Sequence, residues 1–346
     1  MSARPYSPSW LDRLTDAVGR LPGPAALYYL AIGVVLVLAR TIIAWGDGSY
    51  PVGTFFPVHV IDGLIPVYFL FAIHVLDDLA RRAMADFRPR LRGGEAEYEA
   101  LTYRLTTMPM RTSLVIGILA AAEGAIYIPL LLSPVDIEAS HYLTSPTAFV
   151  ADTVLSSLAG VFMITFGFHT FRQLWLISRI YTRHTDVSIF DVAGLYALSR
   201  VTAVTAVALL FFTYIYFAFY LTDGSINSVV NGIAVGLIVL GALLAFVVPL
   251  WGAHRLIQRT KNDRQSEIAR RIETASDAIH GRTDAGEYAG AGDIKDTLDA
   301  LLLERGVVAK ASTWPWEPDA VRAVLTAVLL PILIWIVTRI LERFGI

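Results

Sequence analysis

The residues best suited to chemistry are ionisable side chains set inside long apolar runs: Arg40, His59, Asp62, Glu123 and Asp152. A charge at the centre of a bilayer costs at least about 2.5–3.5 kcal/mol, so such residues are by default functional candidates. His59 and Asp62 are three apart and share one face of a helix. The other three come from three further runs, and the orientation argued below puts all five in the outer half of the membrane. Two readings are open and compatible. The five line an outward-facing polar cavity that binds a small ligand or ion. Alternatively they form an internal network, with Arg40 paired to Asp62 or Asp152 and Glu123 protonated or hydrogen-bonded. The aromatic run from Phe211 to Tyr220, which includes Tyr216 and Tyr220, either forms an interfacial belt or lends rings to the same cavity. Rings there favour an apolar or cationic ligand.

Metal and covalent chemistry find little support. Cysteine is absent, which excludes disulfides, thiolate metal sites and a cysteine nucleophile. His59, Asp62 and Glu123 are residue types that bind zinc. Seven-helix zinc hydrolases, however, use several histidines, including a pair on the last helix, and residues 319–341 contain none. The other histidines within apolar runs, His74 and His169, fall near the inner ends. No metal site or cofactor is expected. Phosphate-binding glycine loops, a nucleophile elbow and a Schiff-base lysine in the last helix are missing. The net charge of −2 gives no case for nucleic acid.

The elements that position these residues are helices in lipid. The chain is 55% hydrophobic and 17% charged, against about 45–50% and about 25% in soluble domains. The excess is gathered into blocks at about 25–45, 55–76, 112–132, 149–171, 199–221, 229–251 and 320–341. Each is long enough to span the ~30 Å hydrocarbon core, and only a helix satisfies its backbone there. The expected fold class is an all-α, multi-pass cell-membrane protein of seven spans, forming one transmembrane domain over 1–346. Arginine and lysine number three in 1–24, seven in 77–111, four in 172–200 and ten in 252–319, and none occurs in 46–54, 133–148 or 222–228. The positive-inside rule then puts the N-terminus in the cytoplasm and the C-terminus outside. Three lysines against 25 arginines suggest a prokaryotic source.

Two helices outrun the membrane. The fourth block continues without Gly or Pro to Arg183, and the sixth passes Trp251 into a charged stretch reaching about Ala278. After a Gly- and Asp-rich break at 281–292, a short amphipathic helix is expected over about 293–304. Residues 252–319 thus form a cytoplasmic helical segment, and loop 77–111 adds another short helix. Small residues four apart, Ser156 with Gly160 and Gly232 with Gly236, suit close helix packing. The last apolar block is interrupted by Thr326 and Pro331 and carries Trp335. In an oligomer it could line a pore with a hydrophobic constriction; otherwise it packs or faces lipid.

This layout resembles the insect odorant and gustatory receptor superfamily of seven-transmembrane ion channels, which has prokaryotic members. The resemblance runs from about residue 25 to 341. It implies a tetramer joined through its cytoplasmic layer, a pore lined by the last span and a small-molecule ligand in the outer half. The superfamily's last-helix motif is absent: Thr326 is followed by Ala327, and Thr338 by Arg339. The expectation is therefore a receptor-like membrane protein, a homo-oligomeric ligand-gated cation channel, rather than an enzyme. The alternatives are a membrane-embedded enzyme or lipid-handling protein using His59, Asp62 and Glu123, and a small-molecule transporter. No internal repeat supports the transporter.

Overall fold

The computed structural model describes residues 5–55, 58–131, 145–185, 193–220, 228–287 and 290–343. The helices carrying Asp62, Glu123, Asp152, Tyr216, Tyr220, Pro331 and Trp335 are placed, but those seven side chains lie outside the described residues. The helices are α1 (Trp10–Gly19), α2 (Ala25–Gly46), α3 (Val58–Phe87), α4 (Glu95–Thr106), α5 (Met110–Leu131), α6 (Pro146–Arg183), α7 (Ala193–Tyr220), α8 (Ser228–Asp284), α9 (Ala291–Lys310) and α10 (Pro318–Arg343). No strand occurs among the described residues; extended pairing is limited to isolated bridges, Pro8 with Pro109 and Leu91 with Thr185.

Five helical stretches among the described residues are long and apolar enough to cross a membrane: Ala25–Gly46, His59–Arg90, Phe149–Arg183, Gly194–Ile215 and Gly236–Asp284. The third and seventh expected blocks fall in α5 and α10. Their surfaces are as informative as their lengths. Leu27, Val35, Ile118, Leu119, Phe171 and Leu237 are all more than half exposed. So much outward apolar surface suits a membrane protein, whose solvent is lipid.

α3 is the axis of the bundle. It packs against α2, α6 and α7, and 65% of its apolar stretch is buried, against 22% for α2. Phe69 meets Phe166 of α6 at 5.3 Å and Phe212 of α7 at 4.9 Å between ring centroids. Lipid tails are as apolar as these rings, so what holds the helices is close fit rather than escape from water. The fit is tightest where α2 crosses α3. A Cβ added to Gly63 would lie 2.8 Å from the backbone nitrogen of Val37. Gly236, by contrast, has nothing within 4 Å of its Cβ position among the described residues. Gly232, the other member of that expected packing pair, lies outside the described residues, and among the described residues the close approach is at Gly63.

Three helices run on beyond their apolar blocks. α6 continues to Arg183, as its sequence suggests. α8 is longer than expected, 57 residues with Pro249 inside it, or roughly 85 Å at 1.5 Å per residue. α3 continues to Phe87 rather than ending near residue 76. The break after α8 is shorter than 281–292, closing with positive-φ turns at Gly286 and Gly290. α9 then folds back along α8. Lys261 of α8 donates to the carbonyls of Ala309 (2.7 Å) and Ala311 (2.8 Å) at the end of α9. Arg264 binds Glu304 at 2.8 Å. His254 stacks on Trp314 at 4.0 Å. α10 returns along α7, with Ala320 and Val324 packed near Ala203, Ala206 and Leu210 and Arg200 bound to Glu317.

Candidate functional site

Of the five candidate charges in the apolar runs, Arg40 and His59 are described, and both are buried with 2% exposure. Thr41 spends its single hydroxyl proton on the Val37 carbonyl at 2.9 Å. Its contact with His59 Nδ1 at 3.3 Å therefore has the ring N–H as donor. Tyr50 meets the His59 ring edge-on at 5.7 Å. Arg40 lies within electrostatic reach of His59 and of Asp47. Asp47, at the end of α2, accepts Ser145 Oγ at 2.5 Å and the Ser49 N–H at 2.9 Å. Slight burial pushes its carboxyl up, but these two bonds and the Arg40 charge outweigh it and hold it below the usual range. Arg40 and His59 thus meet in a structured corner joining α2, α3 and the start of α6. Thr326, the described member of the residues suggested for a pore, is exposed on α10.

The denser polar cluster lies at the other end of α3. Asp77 is 18 residues after His59, about 27 Å along the helix. Asp77 is bound to His169 Nε2 of α6 at 2.8 Å, and the two side chains are 4% and 0% exposed. Gln173, one turn on from His169, reaches Asp77 at 3.4 Å and the Leu105 carbonyl at 3.2 Å. Unpaired, the Asp77 carboxylate would pay a large desolvation penalty; the histidine and glutamine supply its partners.

The N-terminal segment closes this cluster. Ser9 and Asp12 form a capping box on α1: Ser9 N–H donates to Asp12 Oδ2 at 2.7 Å, and Asp12 N–H to Ser9 Oγ at 3.0 Å. The same Oδ2 also accepts the Met108 N–H, 3.1 Å away across 96 residues of sequence. Burial raises the Asp12 carboxyl above the ordinary range, although Ser9 acts the other way. Tyr6 donates to the Thr107 carbonyl at 2.8 Å, and Arg172 of α6 donates to that carbonyl at 2.8 Å and to the Tyr6 hydroxyl. Burial likewise raises the Tyr6 phenol, against the pull of Arg172, so it is a neutral donor near pH 7. Residues 6–12 are thereby pinned between α4, α5 and α6.

A cavity of about 380 Å³ opens beside this layer, bounded by α1, α3 and α4. Asp12 and Asp77 are its buried carboxylates, while Asp16 and Glu99 are exposed at its margin. Tyr98 and Tyr103 add aromatic wall, and Arg81 is its cation, paired with Asp78 at 2.5 Å. Local sequence does not mark this site: His169 is a polar residue in an apolar run, but Asp12, Tyr6 and Arg172 have the character of ordinary polar flanks. Among the described residues, no group of three or more His, Asp or Glu could hold a metal ion.

Compared with family models, curated proteins and solved structures, the chain matches none of them.

Proposed function

We propose that the chain is a receptor-like membrane protein with a cytoplasmic N-terminus, acting as a homo-oligomeric ligand-gated cation channel of seven spans. The observation that carries this reading is α8. One continuous helix belongs both to the apolar bundle and to the α8–α9 hairpin, and α9 leads directly into α10. A change of packing among α3, α6 and α7 thus has a continuous helical path, α8 and then α9, to the last helix. α10 suits a role at an interface between copies: it packs on α7 through one side and leaves Leu325, Leu329 and Leu330 about half exposed. The orientation rests on the arginine-rich segments, which place α1, α4 and the α8–α9 hairpin in the cytoplasm. The layout shared with the odorant and gustatory receptor superfamily supports the same reading.

Two measurements test it. Native mass spectrometry of the protein in lipid nanodiscs should give one closed oligomer, a tetramer. Reconstituted liposomes should pass monovalent cations, with flux lowered by Leu329→Asn or Leu330→Asn. A strictly monomeric particle removes the channel.

A further inference from the structure

We infer that the seam between α6 and α8 is a binding site for one anionic phospholipid, with an acyl chain in the seam and the phosphate held by Arg179 and Arg255. The inference goes beyond the channel reading and needs only that these two helices cross the bilayer. Phe171, Trp175, Ser178 and Thr182 are spaced four, three and four apart and share one face of α6. Gly241, Ala245, Val248 and Gly252 share a face of α8 at the same spacing. The two faces meet at their last members: a Cβ on Gly252 would lie 2.5 Å from Thr182 Cγ2 and 3.8 Å from Ser178 Oγ. Toward the bilayer they part. The Cβ position of Gly241 has nothing within 4 Å among the described residues, and Phe171, Trp175 and Val248 are 71%, 51% and 56% exposed. The seam is closed at its inner end and open above it, with aromatic rings on one side and glycine on the other. A flexible acyl chain fills such a groove by close contact.

The charges select the lipid. Along α6 the order is Phe171, Trp175, then Arg179 and Arg183; along α8 it is Val248, Trp251, then Arg255 and Arg259. That is the order of hydrocarbon, interface and headgroup. Among the described residues Arg183, Arg255 and Arg259 make no ion pair, and Arg179 lies over the Trp175 ring, 4.5 Å from its centroid. Nearby acids are engaged elsewhere: Glu97 binds His184 beside Arg183, and Glu267 binds Arg264 and Arg271 farther along α8. Arginines are therefore left unpaired at the membrane boundary and paired beyond it. Phosphate is the counter-ion that the planar guanidinium fork fits, and basic sites between spans at the inner headgroup level take anionic lipids. A free phosphate would leave the open seam unfilled, so the occupant is a lipid.

The test is a native mass spectrometric titration of the full-length protein in detergent with phosphatidylglycerol. Phosphatidylcholine of the same chains and glycerol 3-phosphate are the comparison probes. Phosphatidylglycerol should add at one per chain where phosphatidylcholine does not, and glycerol 3-phosphate should not displace it. Arg179→Gln and Arg255→Gln should each weaken it about fivefold, the effect of removing one cation beside an anionic headgroup. Arg305→Gln removes the same charge from an exposed position on α9 and should leave binding unchanged. Gly241→Leu changes no charge and should weaken phosphatidylglycerol about as much, because its side chain takes the place of the acyl chain. Melting temperatures are measured alongside, and the arginine variants decide the matter if Gly241→Leu fails to fold. Equal binding of phosphatidylcholine, displacement by equimolar glycerol 3-phosphate, an Arg305→Gln effect as large as that of Arg255→Gln, or indifference of a folded Gly241→Leu protein would each overturn the inference. Channel activity enters none of these readouts, so failure here and failure of the channel are separate results.

Discussion

Replacing Gly63 by alanine tests whether α2 and α3 are held by backbone proximity. The added Cβ would lie 2.6 Å from Val37 Cγ2, 2.8 Å from Val37 N and 3.2 Å from Val37 Cα, where ordinary contact begins at 3.4 Å. The methyl of Val37 can turn away, but its nitrogen cannot. The helices must separate by up to the shortfall, 3.4 − 2.8 = 0.6 Å. Overpacking of that kind costs about 1–3 kcal/mol, and alanine returns about 1 kcal/mol of helix propensity. Gly33→Ala is the matched control on the same helix pair. Its Cβ would also approach within 2.6 Å of a neighbour, but that neighbour is Leu64 Cδ2, the free end of a side chain. The propensity gain is common to both, so the difference isolates the clash: Gly63→Ala should be less stable than Gly33→Ala by about 1–3 kcal/mol. Thermal melting in detergent, followed by fluorescence-detected size exclusion, should separate the two by several degrees. If Gly63→Ala melts at or above Gly33→Ala, the close approach at this crossing does not hold the helices.

The Asp77–His169 pair should behave as a buried couple: His169→Ala or Asp77→Ala alone costs about 3–5 kcal/mol, and the double variant costs clearly less than their sum. A double-mutant cycle of melting temperatures checks this, and strict additivity would contradict it. Asp12 has a raised carboxyl, so the folded state holds its proton more tightly than the unfolded one. Its contribution is fully present below the unfolded value near pH 4 and is lost as pH rises through the higher folded value. Asp77 acts on Asp12 in the same direction and His169 in the opposite one. Relative to Asp12→Asn, the parent protein should therefore lose melting temperature as pH rises from about 4 through the raised folded value. Asp47 runs the other way. Its carboxyl is held low, so its support is present above about pH 4 and fades as pH falls through the lowered folded value; Asp47→Asn should destabilise at pH 7 and progressively less as the solution is acidified below about pH 4. Lys261→Ala removes the donor to two carbonyls at the end of α9 and should speed hydrogen exchange over residues 300–311, leaving α3 and α6 unaffected.

Much of the scaffold was legible because a membrane span is written locally, as about 20 apolar residues between arginine-bearing flanks. The run-on of α8 was also legible, since Ile257, Ile268 and Ile272 keep a helical period through the charged stretch. The run-on of α3 was not. Asp77, Asp78, Arg81 and Arg82 end the apolar block, and nothing nearby in sequence reveals that His169 shields Asp77 from 92 residues away. The inner site was hidden for the same reason: Asp12 touches Met108, and Tyr6 touches Arg172, across separations that no local period encodes. Gly63 and Gly236 make the point within one residue type. A four-residue spacing marks Gly236, while Gly63, which fits the α2–α3 crossing, has no small partner four residues away in sequence.

The length of α8 sets a mechanical ratio. Pro249 cannot donate to the carbonyl one turn before it, which makes it the natural place for the helix to bend. From there to Asp284 is 35 residues, or about 52 Å of rigid arm. A bend of about 10° at Pro249 sweeps the tip through roughly 9 Å. The tip thus moves nearly the width of a helix, while α9, clamped to the arm by Lys261 and Arg264 about 18–22 Å from Pro249, passes about 3–4 Å of that motion to the foot of α10.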